Sequence, residues 1–164
     1  MQRTDQERLS TRLTEWFPLI PRARPQCRTL ERRVDEIRQL ARVAPENPTE
    51  DRISTAAEAH NKAALVLSDC GLDDLAQQLC WQQFSIFHTA WPLPERSAKL
   101  ALQPVVNLGR LLIRTGHYDR AYQLFVNVFE AVRDQTTATV DGRRIDFHHL
   151  VDQPSHHKDV GRFL

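Results

Sequence analysis

Apolar residues recur at helical spacing through nearly all of the first 135 residues of this 164-residue chain. The clearest stretch places them at i, i+3, i+4, i+7, i+8 and i+11, which makes one stripe on a helix of about 3.6 residues per turn. Its members are Ala121, Leu124, Phe125, Val128, Phe129 and Val132. Aromatic residues are only 7% of the chain. The pattern therefore predicts an all-α protein and argues against an all-β sandwich.

Proline and glycine residues divide this pattern into about six helices. Prolines separate the first three helices from one another, and a further pair stands between the fourth and the fifth. Gly71 and Gly116 each follow an apolar run, where a residue without Cβ suits the left-handed position that ends a helix. The predicted helices cover residues 4–18, 26–43, 49–70, 73–90, 95–115 and 118–134.

A short β-hairpin is predicted after the helices. Residues 137–140 and 143–147 alternate in polarity, and the pair Asp141-Gly142 stands between them. Both turn residues can adopt positive φ, which a two-residue hairpin turn requires. Because an isolated hairpin is marginal in water, we expect this one to pack on the helices or on another chain. The hairpin and the residues after it are thus a candidate surface for a homodimer.

The predicted organisation is a helical repeat domain over residues 1–135, followed by the hairpin and a polar tail over residues 136–164. The helical domain consists of three antiparallel helix pairs, over residues 4–43, 49–90 and 95–134. One interpretation of the tail is the truncated start of further repeats.

An internal repeat relates the second and third helix pairs. When Gly71 is aligned with Gly116, two further positions match in size. Ala64 falls on Gly109, and Ala76 falls on Ala121. Small residues at such positions let two helix backbones approach closely. A plain antiparallel bundle with coincidental small residues is the alternative.

The second copy resembles the tetratricopeptide-repeat family. It carries the Gly-x-Tyr-x-x-Ala turn over residues 116–121, preceded by Gly109 and followed by Phe125. The first copy matches less well, since Cys80 stands where the family prefers an aromatic residue. The period of 45 residues between Gly71 and Gly116 also exceeds the family's usual period of about 34. We therefore describe the expected fold as a tetratricopeptide-like (TPR-like) α-solenoid.

The resemblance implies a binding surface on the first helix of each pair. Family members that hold a peptide carboxylate use Asn, Lys and Arg side chains from this surface, because charge-assisted hydrogen bonds recognise the ligand. Two polar stripes match this location, one over Gln103, Asn107, Arg110 and Arg114 and one over Glu58, Asn61, Lys62 and Asp69. The predicted partner-binding residues are Lys62, Asn107, Arg110 and Arg114. A merely solvated helix face is the alternative interpretation.

Charge and cysteine content exclude several classes of function. The chain has 22 basic and 21 acidic residues. Because it lacks the basic excess that is typical of nucleic-acid-binding domains, direct binding of nucleic acid is not expected. No apolar run is long enough for a membrane span, and no secretory signal is apparent at the start. Three cysteines without paired spacing favour a reducing cytoplasm. Only three basic residues are lysines, a bias that fits a bacterial genome rich in GC.

Signals for chemistry are weak. The chain lacks the sequence motifs of serine hydrolases, zinc proteases and nucleotide-binding loops, so no catalytic residue and no cofactor are predicted. The pairs His148-His149 and His156-His157 do not match a known zinc spacing, and a polar linker is the preferred interpretation over a metal site.

The function expected from the repeat is an adaptor or regulatory scaffold that holds a peptide or a partner protein in a concave groove. Two alternatives remain open: a sensory or oligomerisation module of a bacterial regulator, and an enzyme built on a helical-repeat scaffold. A DNA-binding domain elsewhere in the protein would favour the first alternative. A deep pocket that holds a titratable residue with a perturbed pKa would favour the second.

Overall fold

The computed structural model describes residues 28–46 and 49–164, so the predicted helix over residues 4–18 lies outside the described residues. The described part is mostly helical and has a short two-stranded hairpin near its C-terminal end, which confirms the predicted fold at that level. The elements are α1 Leu30–Val43, α2 Thr49–Asp69, α3 Asp73–His88, α4 Glu95–Arg114, α5 Tyr118–Asp134, β1 Thr137–Val140, β2 Arg143–Asp146 and α6 His157–Gly161.

Local signals determine where the helices begin and end. The Thr29 side chain accepts a hydrogen bond from the backbone N–H of Arg32 and caps the start of α1. Gly71 and Gly116 have φ of 75° and 79°, the left-handed conformation expected of them at the ends of α2 and α4. Helix α4 continues through Pro104, which is buried.

Each helix packs against its neighbour in the chain from α1 to α5, and α2 also contacts α4. The small residues of the internal repeat lie in these contacts: Ala64, Ala76 and Ala121 are at most 4% exposed, and Gly109 is also buried. A Cβ atom on Gly109 would lie 2.1 Å from Cζ of Phe125, so only glycine lets that ring lie against α4. The prediction that these residues are buried between helices is confirmed.

The hairpin belongs to the same core as the helices. Its strands are antiparallel, with Thr137 opposite Asp146 and Val140 opposite Arg143. Asp141 and Gly142 in the turn have φ of 50° and 76°, as the sequence predicts for this pair. The inner face of the hairpin supplies buried side chains that pack with those of α3, α4 and α5: Ala138, Val140 and Ile145.

The segment after the hairpin is not a solvated linker. Leu150, Val151 and Val160 are buried in the core, and α6 packs on α5. The backbone of Leu93 donates to the carbonyl oxygen of Leu150 and accepts from the N–H of Asp152, each at 3.0 Å. Apolar residues are too sparse between these histidines and aspartates to show a period, which is why the sequence suggests a polar tail. In the described part of the chain, no helix is both long and apolar enough to cross a bilayer.

Candidate functional site

Asn107 is a buried link between two helices. It is 3% exposed, and its side-chain Nδ2 donates to Oδ1 of Asn61 on α2 at 2.6 Å. Its Oδ1 accepts a hydrogen bond from Nη1 of Arg110 at 3.3 Å. The amide is therefore already used inside the protein, where it joins α2 to α4 and orients Arg110.

Arg114 lies in an ion-pair cluster that connects three helices. It donates to Oδ1 of Asp69, which closes α2. Arg33 on α1 donates to the other oxygen of the same carboxylate at 2.7 Å. The hydrogen bond from Arg114 is the main reason that the pKa of Asp69 lies below its usual value. A ligand carboxylate would compete with Asp69 for both guanidinium groups.

Lys62 is also paired within the protein. Its Nζ lies 2.5 Å from Oε1 of Glu36 on α1 and 2.7 Å from Oε1 of Glu58, one turn earlier on α2. The hydrogen bond to Glu36 is the largest cause of the raised pKa of Lys62. The ammonium group thus stays charged and holds α1 against α2.

Arg110 differs from the other two predicted cations. Its side chain is exposed, and within the part of the chain that the structure describes it makes one hydrogen bond, to Asn107. Among the described residues, no carboxylate lies within ion-pair distance of it. A guanidinium group has five N–H donors, so most of the donors of Arg110 face solvent.

A small cavity opens beside Arg110, between the C-terminal half of α2, the start of α3 and α4. Its volume is about 210 Å³. Its lining, which defines what we call the Arg110 cavity, is mostly apolar: Ala64, Leu65, Ser68, Ala76, Cys80, Asn107, Arg110, Leu111, Ile113 and Arg114. Pockets for drug-sized ligands usually measure about 300–1,000 Å³, so this one suits one or two side chains.

A second depression lies next to the first and shares Leu65 with it. It has a volume of about 360 Å³ and is lined by Lys62 together with Arg33, Glu36 and other residues of α1 and α2. Three of the four predicted residues thus line the Arg110 cavity, and Lys62 lines its neighbour. The four predicted residues therefore line two adjoining depressions rather than one site.

The thiol in the Arg110 cavity is not activated for catalysis. Cys80 is 1% exposed, and burial raises the pKa of its thiol to about 11. At neutral pH it is therefore protonated and a weak nucleophile. Cys80 fills space between α2, α3 and α4, as a small apolar side chain would.

The four C-terminal histidines do not converge. Nδ1 of His148 lies 3.2 Å from Oδ1 of Asp146, whereas Nε2 of His156 lies 4.0 Å from Oε2 of Glu95. His157 is buried and donates from Nδ1 to the carbonyl oxygen of Val132 at 3.1 Å. Among the described residues, no group of three or more His, Cys, Asp or Glu is placed to hold a metal ion.

Sequence reasoning missed the contact that fixes the hairpin to α3. Oδ2 of Asp141 accepts hydrogen bonds from Nε2 of Gln77 at 2.7 Å and from Nε1 of Trp81 at 3.2 Å. The guanidinium of Arg143 lies over the Trp81 ring, 4.2 Å from its centroid. The partners are at least 60 residues apart in the chain, so no local pattern reveals them.

No family model, no curated protein and no solved structure matches the chain. Conclusions about its function therefore rest on its own residues.

Proposed function

We propose that this chain is a TPR-like adaptor or regulatory scaffold that binds the C-terminal end of a partner peptide in the Arg110 cavity. The observation that supports the proposal is the guanidinium of Arg110, which has no carboxylate partner among the described residues, at a small, mostly apolar cavity between α2 and α4. Such a site matches a carboxylate that is joined to an apolar side chain.

The carboxylate would be recognised by Arg110. Paired N–H donors of a guanidinium match the two oxygens of a carboxylate, and the resulting hydrogen bonds are stronger than neutral ones. Arg110 is held by Asn107, which lowers the entropy that the side chain loses on binding.

The apolar side chain next to the carboxylate would enter the cavity. Leu65, Leu111 and Ile113 form walls against which it can pack. The volume of about 210 Å³ limits the occupant to one or two side chains, so we expect a preference for an aliphatic last residue.

Two of the other predicted residues would act indirectly, by holding the helices around the cavity. Lys62 and Arg114 keep their internal carboxylate partners and hold α1, α2 and α4 in register around the cavity. Their ion pairs are partly exposed, so each contributes little to stability, but together they fix the shape of the face.

We further propose that the protein acts in the cytoplasm. Cys70 and Cys80 are free thiols, as a reducing compartment would keep them.

Binding is tested with an array of short peptides that carry acidic residues and end in a free aliphatic residue. Each peptide is paired with its C-terminally amidated form, which lacks the carboxylate charge. We expect free-acid peptides to bind and amides to bind at least about tenfold more weakly, since a hydrogen bond to a charged group contributes about 1.5–3 kcal/mol. Fluorescence anisotropy gives both affinities.

Two charge reversals locate the site. Arg110→Glu is expected to abolish binding, whereas Arg96→Glu, an exposed arginine at the other end of α4, should leave it unchanged. Circular dichroism verifies that both variants keep their helix content. If no peptide of the array binds in a way that depends on Arg110, the proposal is wrong.

A further inference from the structure

The two copies of the internal repeat differ by one aromatic ring. In their alignment, Cys80 of α3 falls on Phe125 of α5, and Ala64 of α2 falls on Gly109 of α4. Phe125 and Gly109 meet between α4 and α5, whereas Cys80 and Ala64 both line the Arg110 cavity. The cavity therefore lies where the first copy has a thiol and the second copy has a ring.

The second copy shows what fills the corresponding space. An added Cβ atom at Gly109 would lie 2.1 Å from Cζ and 2.5 Å from Cε2 of Phe125, so the ring lies directly against the backbone of α4. In the first copy, the shorter Cys80 side chain leaves about 210 Å³ open. Ala64 has the methyl group that Gly109 lacks, so a ring in the first copy would lie somewhat further from the helix backbone. We interpret the Arg110 cavity as the space of an absent aromatic ring.

The size and the lining of the cavity suit a separate ring. An apolar cavity of about 150 Å³ in a protein interior can bind benzene. The Arg110 cavity is larger, at about 210 Å³, and its walls include Leu65, Leu111 and Ile113. It therefore has room for one ring and a short chain attached to that ring.

The charge at the cavity selects an anionic group on the ring. Two charged residues line it, Arg110 and Arg114, and among the described residues no carboxylate lines it. Arg114 is paired with Asp69, which Arg33 also contacts. Arg110 has no such partner in the described part of the chain, where its one hydrogen bond is to Asn107. A carboxylate is the complementary group, because its two oxygens match the paired donors of a guanidinium.

We propose that the Arg110 cavity binds a small aromatic carboxylic acid. The ring occupies the space that corresponds to the one Phe125 fills in the second copy, and the carboxylate pairs with Arg110. This pairing rests on the function proposed above, so the acid competes with the partner peptide and regulates its binding. The last residue of a peptide is also positioned by its backbone, whereas a free acid is oriented by its ring and its carboxylate alone.

The probes are phenylacetate and 3-phenylpropionate, which place the ring at two distances from the carboxylate. Each is compared with its primary amide, which lacks the charge, and with its cyclohexyl analogue, which keeps the charge but carries a thicker ring. Shifts of the methyl NMR signals of Leu65, Leu111 and Ile113 during titration give the affinities.

At least one of the two aromatic acids should bind to the wild-type protein. Its amide should bind at least about tenfold more weakly, because the charged hydrogen bonds to Arg110 are lost. Its cyclohexyl analogue should bind at least about fivefold more weakly, because a thicker ring overfills the cavity. Equal affinity of the aromatic and cyclohexyl acids would overturn the proposal that the site is shaped for a flat ring.

A ring-filled variant locates the site. The double substitution Ala64→Gly with Cys80→Phe reproduces in the first copy the glycine–phenylalanine pair of the second copy. It should fill the cavity and abolish binding of the acid. The matched control is Gln82→Phe, which adds a ring on the exposed face of α3, outside the cavity, and should leave the affinity unchanged. Circular dichroism verifies the helix content of both variants.

Survival of binding in a folded ring-filled variant would show that the acid lies elsewhere, and the proposal would be wrong. The probe series is measured on the wild-type protein, so it gives a decision even where the ring-filled variant is unstable. Arg110→Glu should abolish binding of the acid, and Arg96→Glu should not change it.

Competition separates this proposal from the proposed peptide function. The aromatic acid should raise the apparent Kd of the aliphatic C-terminal peptide in proportion to its own concentration. If peptides bind through Arg110 and neither aromatic acid does, the acid site is wrong and the peptide function stands. If an acid binds through Arg110 and no peptide does, the peptide function is wrong and the acid site stands. Binding of both without competition would also contradict a shared site.

Discussion

The close contact between α4 and α5 predicts an unusual response to one mutation, Gly109→Ala. Alanine is the better helix former, by about 0.8–1.0 kcal/mol in a helix interior. However, the new Cβ atom would lie 2.1 Å from Cζ and 2.5 Å from Cε2 of Phe125. A normal carbon–carbon contact is about 3.5 Å or more, so either the ring or the helix has to move.

The expected magnitude follows from these two opposing effects. Overpacking of this kind costs about 1–3 kcal/mol, and the gain in helix propensity offsets up to about 1 kcal/mol of that cost. Gly109→Ala should therefore lower the free energy of unfolding by about 0–2 kcal/mol in the wild-type background. Replacing Phe125 by leucine removes the ring atoms that clash. In that background, Gly109→Ala should instead raise the free energy of unfolding by about 0.5–1 kcal/mol.

Urea denaturation followed by circular dichroism measures all four proteins of this double-mutant cycle. The sign reversal is the diagnostic result, because helix propensity alone acts equally in both backgrounds. If Gly109→Ala changes the stability by the same amount with and without the Phe125 ring, the close approach of α4 and α5 at this residue is refuted.

Three further perturbations have definite expected outcomes. Asn107→Ala should lower the free energy of unfolding by about 1–3 kcal/mol, because it leaves the Asn61 amide without its partner. An unchanged midpoint of urea denaturation would contradict this. Asp141→Ala should lower the free energy of unfolding by a similar amount, because Trp81 loses its hydrogen-bond acceptor and position 141 has a positive φ. Asp141→Asn should lower the free energy of unfolding less, and equal losses in the two variants would argue against the hydrogen bond. Burial lowers the pKa of His157, so the unfolded chain takes up this proton at a higher pH than the folded chain does. The free energy of unfolding should therefore fall as the pH drops below about 6.5, and it should fall less steeply in His157→Gln. Equal slopes of stability against pH in the two proteins would exclude His157 as the cause.

Helix boundaries were predictable because their signals are local. The predicted helix over 73–90 is Asp73–His88 in the structure, and that over 118–134 is Tyr118–Asp134. Glycine at the two helix ends and the Asp141-Gly142 turn act through their own backbone angles, which depend little on the rest of the fold. The helix over 26–43 starts later, at Leu30, since Thr29 provides the cap.

The burial of the C-terminal segment could not be read from the sequence. Phe163 and Leu164 are the apolar residues at helical spacing from Val160, too few to mark a core-facing stripe, yet Val160 is fully buried. Leu150 and Val151 are placed by backbone contacts with Leu93, far away in the chain. Such long-range contacts leave no periodic pattern, so polarity alone suggests a solvated tail.

The sequence predicts which residues share a helix face, but not how their charges are paired. The spacing of Asn107, Arg110 and Arg114 predicts one face of α4, and all three line the Arg110 cavity. Which cations are neutralised depends on how α1 and α2 lie beside α4, and this is a property of the packed helices. Only the structure distinguishes Arg110, whose donors face solvent, from Arg114, whose donors meet Asp69.

The most direct test of the proposed peptide site is an NMR titration of the labelled protein with an acidic peptide that ends in a free aliphatic residue. We predict that the side-chain Nε–H signal of Arg110 and the methyl signals of Leu65, Leu111 and Ile113 shift together, and that the amidated peptide leaves them in place. Shifts that spare these four residues, or that the amidated peptide reproduces in full, would contradict the assignment of the Arg110 cavity as a carboxylate site.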